Sequence, residues 1–188
     1  VLEAGSGAEE FKPGDRVACA GAGYANHAEI AVVPRNLVTR VPEVVSLEEA
    51  ATVALGAIAL QGVRRAQLSL GEKIGVIGLG FLGQLTVQIL KAAGCKVYGL
   101  DLESARVAQA KSFGLDAAPD AGLDPVEGAK RFSEGHGLDT VLLTAATKSD
   151  EPLLLAMQMA RRKGRIVVVG DVGLAARREA MYAKELDL

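Results

Sequence analysis

The hydrophobic and polar positions divide the chain into a short β-rich part and a longer alternation of strands and helices. Short extended runs occupy residues 16–20, 27–33 and 37–41, and turn residues such as Pro13-Gly14-Asp15 separate them. Proline fixes one backbone angle and glycine relaxes the next, which favours a turn. The pattern over residues 1–45 therefore predicts the C-terminal part of a small β domain.

The segment Ser46-Leu47-Glu48-Glu49 has the form of a capping box at the start of a helix. In such a box the serine side chain accepts a hydrogen bond from the amide three residues on, and the glutamate accepts one from the serine amide. A run rich in Ala and Leu follows to residue 66. We expect residues 46–70 to form a helix that links the two parts of the chain.

From Lys73 onward, apolar runs alternate with helix-like ones. The apolar runs are predicted to be buried strands, at residues 73–78, 96–100, 138–145 and 165–170, with a weak edge strand at 116–118. The segments between them are predicted to be helices, at residues 81–93 and 104–113, from Asp124-Pro125 onward, and at 151–163. Because strands that alternate with helices form a parallel sheet with helices on both faces, we predict an α/β Rossmann fold, doubly wound, over residues 71–188.

Several residues are predicted to cap these helices. Ser104 and Asp124 suit the N-cap position, where a side-chain oxygen accepts from a free amide. Gly94 and Gly164 suit the left-handed turn that ends a helix. Arg161-Arg162-Lys163 would complement the helix dipole at the end of the predicted 151–163 helix.

The predicted chemistry lies in the sequence GLGFLG, which follows an apolar strand and opens a helix. In this context G-x-G-x-x-G holds the pyrophosphate of a dinucleotide. Gly78 permits the tight turn, Gly80 leaves room for the pyrophosphate, and Gly83 lets the helix lie close to the strand. The free amides around Phe81 and Leu82 at the helix start face the phosphates. We therefore predict a dinucleotide site at this turn.

Asp101 ends the second predicted strand, roughly 20 residues after the glycine turn, where the ribose of the cofactor is recognised. A carboxylate there accepts hydrogen bonds from ribose hydroxyls and repels a 2′-phosphate, which favours NAD over NADP. Arg106 follows five residues later. It either contacts the same ribose, offsets that repulsion, or is a solvated arginine on a helix surface.

A methyltransferase is the competing interpretation of this fold, since it also has a glycine-rich first turn and an acid after its second strand. Its first strand usually carries an acidic residue, whereas here that strand has the sequence Lys73-Ile74-Gly75-Val76-Ile77. The residues therefore favour a dehydrogenase.

Composition and charge exclude several other classes of function. The chain has 188 residues and a formal net charge of −2, which gives no electrostatic reason to expect nucleic acid or a membrane surface as a partner. The N-terminus has no signal-peptide pattern, so a cytoplasmic location is expected. Cys19 and Cys95 lie far apart and are expected to be buried, reduced thiols. Val1 begins in mid-pattern and residues 185–188 resemble the start of a strand, so we expect a piece of a longer enzyme.

Several motifs occur together in a distinctive order. They are Pro13-Gly14-Asp15-Arg16-Val17, Ala28-Glu29 with Val33-Pro34, Glu48-Glu49-Ala50-Ala51, and the glycine turn. In this order they resemble the medium-chain dehydrogenases/reductases, the zinc-type alcohol dehydrogenase superfamily, over essentially the whole chain. Residues 19–27 and 144–148 are most similar to a branch in which this enzyme is fused to a second oxidoreductase domain. The resemblance implies that residues 1–45 are the tail of a GroES-like catalytic domain.

The resemblance also indicates where metal ligands are expected. In the family, a Cys and a His-Glu pair bind a catalytic zinc, and these positions precede Val1. A further ligand position falls on or near Val53, whose side chain cannot bind metal. The structural-zinc lobe would lie at residues 19–28, where Cys19 is the only cysteine. The resemblance therefore implies that this chain binds no zinc.

Backbone groups after the fourth and fifth strands line the nicotinamide in the family. The resemblance places them around residues 144–146 and 170–172, with Thr144, Ala145 and Gly170 as candidate cofactor residues.

No catalytic residue can be assigned from the sequence. Tyr24, Asn26 and His27 are polar candidates on the substrate side, with structural or solvated roles as the alternative. His136 stands between two glycines and is expected in a surface turn.

The resemblance implies an oxidoreductase that moves a hydride between NAD(P) and an alcohol or carbonyl group of a small substrate. It also implies a possible homo-oligomer through the last strand of the sheet, near Leu186. Two alternatives stay open: a zinc-free quinone or enone reductase that uses NADPH, and a non-catalytic nucleotide-binding or scaffolding module. The chain alone is expected to bind a dinucleotide weakly and to be inactive.

Overall fold

The computed structural model describes residues 1–120 and 122–188. The chain forms two compact units, Val1–Ala57 and Ile58–Leu188. The first unit contains the antiparallel strands β1 (Val17–Cys19) and β2 (Val38–Arg40) and the short helix α1 (Leu47–Ala50). Helix α2 (Val53–Ala66) runs through the boundary.

The strand predicted at residues 27–33 is wrong. Residues 27–30 form bends and residues 31–33 have no regular structure, and the two-stranded sheet of this unit consists of β1 and β2 alone within the described residues. A strand needs a neighbouring strand to satisfy its backbone groups. Ile30 and Val32, which supplied the apolar pattern, are exposed to solvent.

The capping box at Ser46 is confirmed. The Glu49 amide donates to the Ser46 hydroxyl over 3.1 Å, and the Ser46 amide donates to the Glu49 carboxylate over 2.9 Å. The predicted continuous helix is instead interrupted after α1. There the Thr52 hydroxyl donates to the Glu49 carbonyl over 2.8 Å, a local bond that competes with the regular helix pattern.

The second unit is built on a four-stranded parallel sheet in the order β4-β3-β5-β6. Its strands are β3 (Lys73–Ile77), β4 (Lys96–Leu100), β5 (Leu138–Leu143) and β6 (Ala160–Val168). The weak edge strand predicted at residues 116–118 is reduced to one bridge between Tyr98 and Ala117. A further bridge joins Arg165 to Asp187.

Helices cover both faces of this sheet, which confirms the doubly wound α/β fold. They are α3 (Phe81–Ala92), α4 (Ser104–Ser112), α5 (Pro125–Phe132), α6 (Glu151–Met159) and α7 (Arg178–Lys184). Neighbouring residues of β5 belong to different hydrophobic cores: Leu142 lies in the core that contains Leu90, whereas Val141 and Leu143 lie in the core that contains Leu153. None of the described helices is both long and apolar enough to cross a membrane.

The predicted helix 151–163 is too long. Helix α6 ends at Met159, and Arg161-Arg162-Lys163 belong to β6. Gly164 also lies in β6 and has no positive φ, so the predicted cap at Gly164 is wrong. The Arg161 guanidinium donates to the Asp139 carboxylate over 2.7 Å, and the Lys73 amide donates to the other oxygen of that carboxylate over 2.8 Å. Because Asp139 lies in the neighbouring strand β5, this contact holds Arg161 at the sheet.

A different cation serves the end of α6. The Lys184 ammonium, from α7, donates to the carbonyls of Met157, Gln158 and Ala160 over 2.7–2.9 Å. Burial, and next the charge of Lys130, lowers the pKa of Lys184. The helix dipole is therefore complemented from a remote part of the chain, and not by the three basic residues that follow α6.

The remaining predicted caps have mixed outcomes. Asp124 caps α5 by accepting a 2.9 Å bond from the Val126 amide, and Gly94 adopts the expected positive φ of 81° after α3. Ser104 does not cap α4, because the N-cap position is taken by Glu103. The Glu103 amide donates to the Asp101 carboxylate over 2.9 Å, so Asp101 secures the start of this helix.

Candidate functional site

The residues predicted to bind the cofactor converge at one edge of the parallel sheet. Ile77 lies opposite both Leu100 and Leu143 in the register, and Leu143 lies opposite Val168. All four strands therefore end at the same level. The candidate residues lie within two residues of these strand ends: Gly78 after β3, Asp101 after β4, Thr144 and Ala145 after β5, and Gly170 after β6. In open α/β sheets, ligands bind at this carboxyl edge.

Two glycines of the turn are required by the protein itself. Gly78 has a φ of 96°, and a Cβ on it would lie 2.5 Å from the Ala145 nitrogen. A Cβ on Gly83 would overlap the Gly78 carbonyl oxygen. The first turn of α3 therefore lies directly against the end of β3, as the motif predicts.

Gly80 differs from these two glycines. Its φ is −65°, which any residue adopts, and a Cβ would meet none of the described atoms within 4 Å. Nothing in the described part of the chain demands a glycine here. The missing side chain keeps open a space outside the protein, as the approach of a pyrophosphate to the backbone requires.

The start of α3 offers free hydrogen-bond donors beside that space. Gly80 is the N-cap residue of this 12-residue helix, and no side chain caps it. The first amides of a helix, here those of Phe81 and Leu82, have no acceptor within the helix. With the positive end of the helix dipole they form an arrangement that suits an anion.

Thr144, Ala145 and Gly170 close the sheet edge next to the turn. The Thr144 hydroxyl donates to the Gly78 carbonyl over 2.5 Å, and its amide donates to the Ile77 carbonyl over 2.9 Å. A Cβ on Gly170 would overlap the Ala145 carbonyl oxygen. Backbone segments from β3, β5 and β6 thus pack against one another without intervening side chains.

Asp101 is held against the glycine turn. One carboxylate oxygen accepts from the Leu79 amide over 2.7 Å, and the other accepts from the Glu103 amide. The Arg106 guanidinium lies 3.4 Å from the second oxygen, and its side chain is 53% exposed, whereas that of Asp101 is 6% exposed. Asp101 therefore links the glycine turn to the start of α4.

Two further residues at this edge belong to none of the predicted motifs. Leu102 is fully exposed beside Asp101, and an apolar residue directly after the strand-ending acid is the signal that could have found it. Gln84 is buried in the first turn of α3, where its side-chain nitrogen donates to the carbonyls of Leu79 and Arg106. A polar residue on the apolar face of a predicted helix was the available signal.

The other polar candidates lie elsewhere. Tyr24, Asn26 and His27 are exposed residues of the Val1–Ala57 unit. His136 is exposed between Gly135 and Gly137, which both have positive φ, so the predicted surface turn is confirmed.

The residues present do not fit a zinc ion. Over residues 1–120 and 122–188, His, Cys, Asp and Glu side chains form no group of three that could hold a metal. Both cysteines are free thiols; Cys95 is buried as predicted, whereas Cys19 is half-buried.

Comparison with known proteins gives consistent relatives. (R,R)-Butanediol dehydrogenase of Bacillus subtilis is 29% identical over 198 residues, which cover 90% of this chain and 55% of that protein. An uncharacterized zinc-type alcohol dehydrogenase-like protein of Escherichia coli is 28% identical, with 92% of this chain and 57% of that protein covered. The chain thus spans little more than half the length of the curated relatives it matches.

A solved structure and a family model agree with these relatives. The crystal structure of 2R,3R-butanediol dehydrogenase from Bacillus subtilis matches with a TM-score of 0.79 and 27% identity, over 99% of this chain and 60% of that one. The family model described as zinc-binding dehydrogenase matches residues 82–186, more than half of the chain. The chain therefore belongs to the zinc-binding dehydrogenase family, within the medium-chain dehydrogenase/reductase superfamily that its motifs resemble.

Proposed function

We propose that this chain is the cofactor-binding part of an NAD(P)-dependent oxidoreductase that transfers a hydride between the nicotinamide and an alcohol or carbonyl group of a small substrate. The observation that carries the proposal is the open space at Gly80, beside the uncapped start of α3. The bound cofactor supplies the hydride chemistry, and the chain's residues bind and orient it. The name of the butanediol dehydrogenase relative supports an alcohol as the substrate class.

Each candidate residue has a proposed part in binding. The amides of Phe81 and Leu82 donate to the pyrophosphate, with Gly78 and Gly83 holding the backbone close enough for it. Leu102 offers an apolar surface beside the ribose position, suited to the adenine ring. Backbone groups of Thr144, Ala145 and Gly170 lie on the nicotinamide side. The proposed domains agree with these parts. Residues 1–45 are the tail of a catalytic domain, residues 46–70 are a linking helix, and residues 71–188 are the Rossmann domain that binds the cofactor.

NAD is the proposed cofactor, because a carboxylate at Asp101 accepts from ribose hydroxyls and repels a 2′-phosphate. A specific observation keeps NADP as the second candidate. The Arg106 guanidinium lies 3.4 Å from that carboxylate and its side chain is 53% exposed, so it is placed to pair with a 2′-phosphate. An NADPH-dependent quinone or enone reductase would use it in this way.

A homo-oligomer through the edge of the sheet is a further part of the proposal. The segment near Leu186 lies at this edge beside β6: the Ile166 amide donates to the Asp187 carbonyl over 2.8 Å, and Asp187 and Leu188 line an open groove of about 520 Å³ there. An edge strand presents unpaired backbone groups that a second copy can pair with. Light scattering after size-exclusion chromatography would measure the oligomeric state directly.

Titration of the 188-residue chain with NADH and with NADPH, followed by cofactor fluorescence, tests the proposed function. We expect NADH to bind more tightly. We expect Gly80→Ala to lose binding while it keeps the melting temperature, since the new methyl group enters only the space reserved for the pyrophosphate. A folded wild-type chain that binds neither cofactor would refute the proposal. If the full-length protein bound cofactor but showed no turnover, the alternative of a non-catalytic nucleotide-binding module would hold instead.

A further inference from the structure

Gln84 is a buried polar residue at the glycine turn whose role the fold alone does not explain. It is 6% exposed and lies one residue after Gly83. Its side-chain nitrogen donates to the Leu79 carbonyl over 2.8 Å and to the Arg106 carbonyl over 2.9 Å. Its side-chain oxygen is buried and has no partner among the described residues.

The orientation of this amide is fixed by its surroundings. If the oxygen and nitrogen exchanged places, the oxygen would face two carbonyl oxygens and the nitrogen would lose both acceptors. A buried carbonyl without a partner destabilises the fold, so an apolar side chain of similar size would suit packing better than Gln84 does. The two donated hydrogen bonds are what a glutamine provides at this position.

The bond to Leu79 has a consequence for the next amide. A trans peptide is planar, so its carbonyl and its N–H point in opposite directions, and the chain contains no cis peptide in its described residues. Because Gln84 holds the Leu79 carbonyl toward the interior, the Gly80 N–H points outward. That amide donates to no acceptor within residues 1–120 and 122–188, and the space beside Gly80 is open.

Gln84 also closes a ring of hydrogen bonds around the turn. The Leu79 amide is held by Asp101, and the Leu79 carbonyl is held by Gln84. Arg106 contacts Asp101 through its guanidinium and Gln84 through its carbonyl. The peptides on both sides of Leu79 are therefore fixed by side chains of different elements.

We propose that Gln84 is a positioning residue that fixes the peptide between Leu79 and Gly80, so that the Gly80 amide donates to the diphosphate of a bound dinucleotide. Without Gln84 this peptide is free to rotate and to turn the Leu79 carbonyl oxygen toward the phosphate. The carbonyl oxygen and the phosphate oxygens repel each other, so binding is weakened. The inference rests on the proposed function, since it assigns a donor for the same cofactor.

The test compares Gln84→Met with Gln88→Met. Methionine keeps the length of the side chain and removes the donor. Gln88 lies one turn further along α3 and is exposed, and within residues 1–120 and 122–188 its side chain donates to the Gln84 carbonyl alone, so it is a matched control. We expect Gln84→Met to raise the dissociation constants of NADH and ADP-ribose by about 10- to 100-fold, which is the range for a lost hydrogen bond to a charged group. Gln88→Met should stay within about twofold of wild type, and adenosine, which lacks phosphate, should bind wild type and Gln84→Met alike.

An NMR measurement on the wild-type chain keeps the inference testable if Gln84→Met does not fold. Saturation with ADP-ribose should move the Gly80 amide proton downfield, as expected for a donor to phosphate. A wild-type chain that binds neither NADH nor ADP-ribose overturns the proposed function and this inference with it. A wild-type chain that binds ADP-ribose without a Gly80 shift, or a folded Gln84→Met that binds it equally well, overturns the role of Gln84 alone.

Discussion

The backbone amide of Leu79 donates a 2.7 Å hydrogen bond to the carboxylate of Asp101, which joins the glycine turn to the end of the neighbouring strand. The acid that the sequence marks as the ribose ligand thus has a second, structural task. A change at Asp101 therefore acts on the shape of the glycine turn, in addition to its proposed effect on the choice between NAD and NADP.

This double role gives a prediction for two variants of Asp101. Asp101→Ala removes the acceptor for two backbone amides, so it should lower the free energy of unfolding by about 1–3 kcal/mol. It should also lower the affinities for NADH and NADPH together. Asp101→Asn retains an oxygen for Leu79 and should recover most of the stability while it reduces the advantage of NADH. Urea denaturation and cofactor titration measure both effects. If Asp101→Ala were as stable as wild type and bound NADPH more tightly, Asp101 would be a selector only.

The glycines of the turn should separate into a structural and a ligand-related class. Gly83→Ala places a methyl group against the Gly78 carbonyl, and backbone cannot yield as a flexible side chain does, so we expect a loss of about 1–3 kcal/mol or more. Gly80→Ala should unfold at the wild-type urea concentration. A stable Gly83→Ala variant with normal cofactor affinity would show that α3 can shift away from β3 at little cost.

The sheet and its glycine turn could be predicted from the sequence because their signals are local. Buried parallel strands appear as short apolar runs, and GLGFLG lies between such a run and a helix-like one. The end of α6 could not be predicted in the same way. The basic residues after Met159 suit a helix end, but Arg161 is held by Asp139, 22 residues away in sequence.

The candidate site was predicted in its positions and not in its internal contacts. Parallel topology brings the residues that follow strand ends to one edge, which is why Asp101 and Thr144 lie beside the glycine turn. The bonds from Leu79 to Asp101 and from Gln84 to Arg106 each span 22 residues and depend on how α3 and α4 pack on the sheet. No spacing rule in the sequence specifies contacts of this kind.

Lys184 should be important for stability although it lies far from the candidate site. Lys184→Met keeps most of the side chain and leaves three carbonyls at the end of α6 without their donor, so we expect a loss of about 1–3 kcal/mol in the free energy of unfolding. Arg162→Met is the control, because the Arg162 side chain is 71% exposed, and we expect a change within about 0.5 kcal/mol. If Arg162→Met lowered the free energy of unfolding more than Lys184→Met, the basic residues after α6 would complement its dipole after all.

Gly128 in α5 should depend on Tyr98 in β4. A Cβ on Gly128 would overlap the Tyr98 hydroxyl, so Gly128→Ala should destabilise the fold by about 1–3 kcal/mol, although alanine favours a helix over glycine. Combined with Tyr98→Phe, which removes that oxygen, the same change should become nearly neutral. A double-mutant cycle from urea denaturation measures this coupling. Additive effects of the two substitutions would place the cost of Gly128→Ala elsewhere.

Tyr98 also makes the free energy of unfolding decrease with pH in the alkaline range. Burial, then the charges of Asp120 and Asp124, raises the pKa of Tyr98 to about 12, whereas an unperturbed tyrosine titrates at about 10. Between these values the unfolded chain has released the phenol proton and the folded chain retains it. The stabilisation is therefore fully present below pH 10 and is lost as the pH rises toward 12, by about 2 kcal/mol.

Tyr98→Phe lacks this proton, so the difference between wild type and Tyr98→Phe in the free energy of unfolding should shrink over this interval. Two parallel stability curves from pH 9 to 12 would show that the Tyr98 hydroxyl ionises as readily in the fold as in the unfolded chain.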